Sequence, residues 1–252
     1  MVNPEFSEFQ FAYGLTREIE NNFSSSVVSP PTFPTQRREE IVGSDVIMRI
    51  REGNNSITPL FIQYKRSEQM VRSDAREWDD FGQEYLRFDI HTANQHNTLV
   101  DLCRGIGLAY YVAPGFHTSE EYVEYHRQGS LGENSVYVDT GSLPVVNDSN
   151  HRIAYTISPL RGLFYSEPQQ VNLDVNLPSF IYQLTNGEGM YESFQALRGA
   201  FQEAREEIIR ELNLEVDLYY YSTDEPDEWI RAQQRFFIET MNTHTLFINS
   251  VS

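Results

Sequence analysis

Lysine is all but absent from this chain. Nineteen of its 252 residues are Lys or Arg, and only Lys65 is a lysine. Lysine is ordinarily among the commonest residues, so its near-removal needs a cause. Carboxylates outnumber the basic residues 37 to 19, for a net charge of −18. At about 1 M salt the Debye length is roughly 3 Å, and such self-repulsion is screened. Acidic surface with little lysine therefore reads as adaptation to molar salt, in a halophilic microorganism. A GC-rich genome, trading lysine codons for arginine codons, is the plainer alternative. Either pressure makes the one retained lysine informative. Cysteine is also scarce: Cys103 is alone, which excludes an intramolecular disulfide. The opening residues MVNPEFSEFQ lack the basic and apolar regions of a secretory signal. No apolar run approaches the roughly 20 residues of a membrane span. The expectation is a soluble, cytoplasmic protein with no membrane partner. There is no glycine-rich phosphate loop and no zinc-ligand spacing of His and Cys.

What is present is organised as alternating helices and strands. Ser7 can cap a helix over 7–23, with Phe11, Ala12, Leu15, Ile19 and Phe23 at helical spacing. A Ser/Pro loop follows at 24–36. Strands are expected at 44–51 and 58–65, joined by the hairpin-forming Glu52-Gly53-Asn54-Asn55-Ser56. Further strands are expected at 85–91, 108–113, 135–139, 152–157 and 162–166, with helices at 94–104 and 118–127. Composition changes after Pro168. Beyond it, 190–212 and 227–241 read as helices. Two regions result: residues 1–168, and a helical extension over 169–252 that packs on the first or serves as a partner or homodimer surface.

The order helix, hairpin, helix, strand gathers chemistry. Residues i and i+2 of a strand share a face, so Gln63 and Lys65 project together while Tyr64 points away. Pairing the hairpin brings Asp45 beside them. Mg²⁺ prefers oxygen ligands and keeps several waters. The Asp45 carboxylate, the Gln63 amide oxygen and a backbone carbonyl could hold it, with a helix carboxylate joining through water. Such an ion activates water and neutralises phosphate charge. Lysine adds a compact positive charge at the reacting phosphate, which the broad guanidinium of arginine replaces poorly. Taken singly, Asp45 could be a turn residue after Gly43-Ser44, and Gln63 and Lys65 an exposed strand face. Glu8 and Glu20 compete with Glu18.

These pieces resemble the PD-(D/E)xK nuclease superfamily, closest to its Mrr-type branch with Gln-x-Lys in the second motif. The matching residues are Glu18 in LTREIE, Asp45 in VGSDVIMRI, and Gln63 and Lys65 in PLFIQYKRS. The resemblance covers roughly 7–115. It departs from the family pattern at Ser44, where a proline is usual, and at Gln63, which replaces an acid and removes a ligand charge. It implies a restriction-endonuclease-like α/β fold, a central mixed sheet flanked by helices. It also implies that Asp45, Gln63, the Tyr64 carbonyl and Glu18 bind Mg²⁺ or Mn²⁺, and that Lys65 is catalytic. The function implied is endonucleolytic hydrolysis, of DNA, in defence or repair. A lapsed nuclease fold that only binds nucleic acid or assembles with partners is the alternative.

Eight of the nineteen basic residues fall between 37 and 76: Arg37, Arg38, Arg49, Arg51, Lys65, Arg66, Arg72 and Arg76. Phosphate contacts need such a patch, with Arg49 and Arg66 as the candidates beside the motif. Pairing with Glu39, Glu40, Glu68 and Glu77 would explain the same arginines without a ligand. His96, at a helix start, is the histidine best placed for a further phosphate contact, although a hydrogen-bonded structural role is the commoner use.

Overall fold

The computed structural model describes residues 1–24, 27, 31, 44–51, 57–105, 108–147, 151–165, 169–171 and 173–174. The chain divides into two compact units, Met1–Met190 and Tyr191–Ser252. The described residues all belong to the first. The helices expected at 190–212 and 227–241, and the partner surface assigned to them, lie outside the described residues.

Helix α1 spans Glu8–Asn22 and begins with a capping box: the Ser7 hydroxyl accepts from the Gln10 N–H, and the Gln10 side chain accepts from the Ser7 N–H. Its apolar stripe, Phe11, Ala12, Leu15 and Ile19, is buried. The strands are β1 (Val46–Arg51), β2 (Ile57–Tyr64), β3 (Glu68–Met70), β4 (Tyr85–Ile90), β5 (Leu108–Pro114), β6 (Ser135–Asp139), β7 (His151–Thr156), β8 (Arg161–Tyr165), β9 (Gln169–Gln170) and β10 (Leu173–Asp174). The remaining helices are the single turn α2 (Trp78–Phe81), α3 (Ala93–Gly105) and α4 (Ser119–Gln128). Short 3₁₀ turns lie at Gly132–Asn134 and Thr140–Ser142.

The fold is α/β, built on two five-stranded sheets. The first runs β1-β2-β5-β6-β10. Its β2 and β5 are parallel, which requires a crossover, and the chain from β3 to α3 supplies it. The other pairings in this sheet are antiparallel, so it is mixed. The second sheet, β3-β4-β7-β8-β9, is antiparallel throughout. The mixed sheet flanked by helices that the sequence reading expects is the first of these; the second, antiparallel sheet is in addition to it. Strand spacing is legible in a sequence, but which strand pairs with which is a long-range choice. The composition change at Pro168 does not coincide with a structural boundary either. Strands β9 and β10 lie beyond it, yet they pair with β8 and β6.

Strand alternation sorts the first sheet into two faces. Leu60, Ile62 and Tyr64 face α1 and join its core with Phe11, Leu15, Ile19, Val112 and Tyr137. Tyr64 seals this layer: its hydroxyl shares a 2.9 Å hydrogen bond with Thr16 on α1. Helix α4 comes close to α1 at Gly14, where a Cβ would stand 2.9 Å from Leu131 and 3.0 Å from the Tyr122 hydroxyl. The opposite face carries Phe61, Gln63, Lys65 and Tyr111. Helix α3 and the second sheet cover it, with Phe88 of β4 packed 5.7 Å from Tyr111 and 6.2 Å from Tyr155, ring to ring. The Tyr155 hydroxyl donates to the Pro114 carbonyl at 2.7 Å and also meets the Ser67 hydroxyl.

Candidate active site

Strands β1 and β2 pair with Val46 opposite Ile62, and this register sets Asp45 against Gln63. The Asp45 N–H donates to the Ile62 carbonyl at 2.8 Å, closing the end of the ladder. Its carboxylate accepts two bonds from β2: Oδ1 from the Gln63 amide at 2.8 Å and Oδ2 from the Tyr64 N–H at 2.6 Å. Lys65 follows β2, with its N–H on the Val112 carbonyl of β5 at 2.9 Å. Only 7 % of Lys65 is exposed, and its Nζ lies 5.7 Å from the centre of the Tyr111 ring. Tyr111 is the register partner of Gln63 across the parallel pair. Asp45, Gln63 and Lys65 therefore share the face that carries Tyr111. The Asp45 charge reaches both neighbouring phenols, and after burial, the larger cause, it helps push the Tyr64 and Tyr111 hydroxyls well above their ordinary pKa.

A second layer behind these residues comes from α3. Gln95 donates to Gln63 Oε1 at 2.9 Å. His96 is fully buried, with its ring stacked at 5.9 Å and 5° on that of Tyr111. The Pro144 carbonyl can only accept, so His96 Nε2, 2.8 Å away, carries the proton. Nδ1 is then an acceptor, and the Tyr111 hydroxyl donates to it at 2.9 Å. Burial is the main cause that lowers the His96 pKa, with His151, Lys65 and Arg104 adding to it. A neutral imidazole with both nitrogens engaged cannot serve as a phosphate contact; His96 instead fixes the ring beneath Lys65. Gln95 carried no signal in the sequence beyond its place in the first turn of α3.

The structure separates Glu18 from this group. Glu18 is 7 % exposed. Its Oε2 and Oε1 accept from the Leu131 and Gly132 N–H groups at 2.9 and 3.0 Å, capping the turn at Gly132–Asn134. It lies on the α1 side of the sheet, whereas Gln63 faces α3. Burial, opposed by those two N–H groups, raises its pKa. Glu18 is buried beside the apolar stripe of α1, and helical spacing does not tell which inward partner a carboxylate meets. The carboxylate of α1 that reaches the end of β2 is Glu8, whose Oε2 accepts from the Arg66 N–H at 2.9 Å.

The arginines divide. Arg66 is exposed. Arg49 sits on β1 opposite Pro59, and its side chain, like Arg37, Arg38 and the side chain of Arg51, lies outside the described residues. Arg72 pairs with Asp74 at 2.7 Å on the surface. The second sheet buries a separate charge cluster in which Glu77, 1 % exposed, accepts from the Tyr85 hydroxyl at 2.8 Å and from Arg152 at 3.2 Å, with Arg87 at 3.5 Å.

Among the described residues, no group of three His, Cys, Asp or Glu side chains stands arranged to hold a metal ion. Nor is any helix among them long and apolar enough to cross a membrane.

No protein-family model matches the chain, and no solved structure matches it. Two curated proteins are similar over part of their length: the tRNA modification GTPases MnmE of Rickettsia rickettsii strains Sheila Smith and Iowa. Each is 25 % identical over 180 residues, covering 69 % of this chain and 37 % of the GTPase. The chain thus spans little more than a third of the relatives it matches.

Proposed function

We propose that the chain is a metal-dependent nuclease that hydrolyses phosphodiester bonds of DNA. The observation that carries this reading is the hydrogen bond of Gln63 to Asp45, with Lys65 on the same sheet face over the Tyr111 ring. The parallel pairing of β2 with β5, across a crossover that runs through β3, β4 and α3, supports a mixed sheet of the kind that the PD-(D/E)xK resemblance implies.

The donors here are hard oxygens. Mg²⁺ commonly takes one or two carboxylates, several waters and the substrate phosphate. Asp45 and the Tyr64 carbonyl would hold such an ion, or Mn²⁺; Gln63 turns its amide nitrogen toward both of them and would join only by turning its oxygen inward. When bound, it acidifies a water and offsets charge at the phosphate. Asp45 anchors the site. Lys65 places its positive charge against the phosphate oxygens as negative charge grows there. The Tyr111 ring lies against the Lys65 ammonium, and His96 holds Tyr111. In the hydrolysis, water oxygen bonds to phosphorus, the ester P–O bond breaks, and the leaving oxygen takes up a proton.

One observation favours a second reading. With Gln63 in place of an acid and Glu18 engaged at Leu131 and Gly132, Asp45 contributes the single formal negative charge of the trio. A nuclease fold that binds nucleic acid without cutting it has that character. The GTPase activity named for the Rickettsia proteins is not carried over. A P-loop places its lysine at the end of a glycine-rich loop, whereas the single lysine here follows Ile62-Gln63-Tyr64 on a strand.

The test is cleavage of DNA by the full chain in molar KCl with Mg²⁺ or Mn²⁺. Lys65→Arg is expected to lower cleavage at least about a hundredfold and to leave DNA binding, set by the number of phosphate contacts, nearly unchanged. Asp45→Ala is expected to abolish cleavage. Binding without cutting under every divalent ion supports the second reading. Neither binding nor cutting refutes both.

A further inference from the structure

Thr92, Gln95, Gln63 and Asp45 form one chain of hydrogen bonds, and every link points the same way. An ionised carboxylate can only accept. Gln63 therefore turns Nε2 toward Asp45 Oδ1, at 2.8 Å, and Oε1 away from it. Gln95 meets that oxygen with its own Nε2 at 2.9 Å. This leaves Gln95 Oε1 to accept from the Thr92 hydroxyl at 3.3 Å. The two ends of a glutamine amide are ordinarily hard to tell apart. Here the acceptor-only end of the chain fixes both amides.

A divalent cation at Asp45 reverses the requirement. Mg²⁺ and Mn²⁺ take oxygen from an amide, not its protonated nitrogen. Gln63 must then present Oε1 on the Asp45 side, and its Nε2 swings to face Gln95. If Gln95 stayed as it is, two donors would confront each other in a partly buried place, leaving both unsatisfied. If Gln95 turns as well, its Oε1 accepts from Gln63 and its Nε2 donates to Thr92. The Thr92 hydroxyl both donates and accepts, so it absorbs the reversal at the exposed end of the chain.

We propose that Gln95 is a positioning residue. It holds the Gln63 amide in its metal-free direction and turns over with it when a divalent cation binds at Asp45. This rests on the nuclease reading only through the binding of a cation at that carboxylate. The change asked of the protein is two amide rotations.

The test uses the full chain in molar KCl. Side-chain amide signals of Gln63 and Gln95 are followed by ¹H–¹⁵N NMR as Mg²⁺ is added, and Mn²⁺ affinity is measured by electron paramagnetic resonance of the free ion. Both glutamine signals should move together in the wild type, and neither in Asp45→Ala. Gln95→Glu, which accepts only, leaves Gln63 satisfied when the ion is bound and contested when it is not. It should tighten Mn²⁺ binding by about tenfold or more. Asn94→Asp adds the same charge one residue away, at an exposed position, and should tighten it by less than about threefold. Gln63 signals that move while Gln95 stays still would overturn the inference and leave the nuclease reading standing. So would a Gln95→Glu effect no larger than that of Asn94→Asp. A wild type that binds neither Mg²⁺ nor Mn²⁺ overturns both.

Discussion

Replacing Lys65 with methionine should leave the fold firmer and the activity gone. Lys65 is almost wholly buried, and its ammonium makes no ion pair among the described residues; its recorded partner is the Tyr111 ring at 5.7 Å. Keeping a charge in such a place costs several kcal/mol of lost hydration, by the scale of buried ions. A cation–π contact with a desolvated ring returns roughly 2 kcal/mol. Methionine has a similar length and flexibility and no hydration to lose. Lys65→Met should therefore raise stability by about 1–2 kcal/mol. For a domain of this size that is a melting temperature higher by about 2–8 °C. The assay is thermal unfolding followed by circular dichroism in molar KCl, beside DNA cleavage on the same preparations. A residue that costs stability and is nevertheless kept, as the last lysine of the chain, is kept for chemistry. If Lys65→Met unfolds more than a few degrees below the wild type, Lys65 serves the fold, and the weight placed on its retention is misplaced.

Glu77→Ala should destabilise by about 2–3 kcal/mol, read from urea unfolding, because it leaves the Tyr85 hydroxyl without its acceptor and takes the buried carboxylate from Arg87 and Arg152, which keep only the more exposed Glu68 and Asp89. Burial raises the Glu77 pKa, but Tyr85, its own backbone and the two arginines outweigh burial, and the net shift is downward. Its stabilisation is thus complete above the ordinary value of 4.5 and is lost as pH falls through the lower folded value; the variant should show a flatter acid limb in a stability–pH curve. Glu18→Ala should cost about 2 kcal/mol by freeing the Leu131 and Gly132 N–H groups, yet leave Mn²⁺ affinity unchanged; weakened Mn²⁺ binding would return Glu18 to the site. His96 has a lowered pKa, so it favours folding above about pH 6.5 and that contribution is lost as pH falls below it. His96→Asn should reduce that part of the acid dependence. Circular dichroism at low and at molar KCl should show structure gained with salt, because a net charge of −18 needs screening; full cooperative structure at low ionic strength would remove the halophile argument.

Local rules made much of this protein legible. Ser7 and the stripe Phe11, Ala12, Leu15 and Ile19 fix α1 by capping and spacing alone. The period of two along β2 fixes which side chains travel together: Gln63 with Lys65, and Tyr64 with the core. The hairpin residues between β1 and β2 imply pairing, and pairing brings Asp45 to Gln63. Those are short-range consequences of backbone geometry, so a sequence carries them. Partner choice at long range is different. Glu18 and Glu8 are both helical carboxylates, and only packing sends one to the Leu131 and Gly132 N–H groups and the other to Arg66. His96 looked free to meet a phosphate until the fold laid Tyr111 and Pro144 against its two nitrogens. Gln95 is one glutamine among many until the crossover through α3 sets it on Gln63. The second sheet arises in the same way, since β4, β7 and β8 are each plain strands in the sequence and become a separate layer only by pairing with one another. A sequence records which way a side chain points along its own element; what it meets there depends on loop closure and packing between distant segments, which only the assembled chain decides.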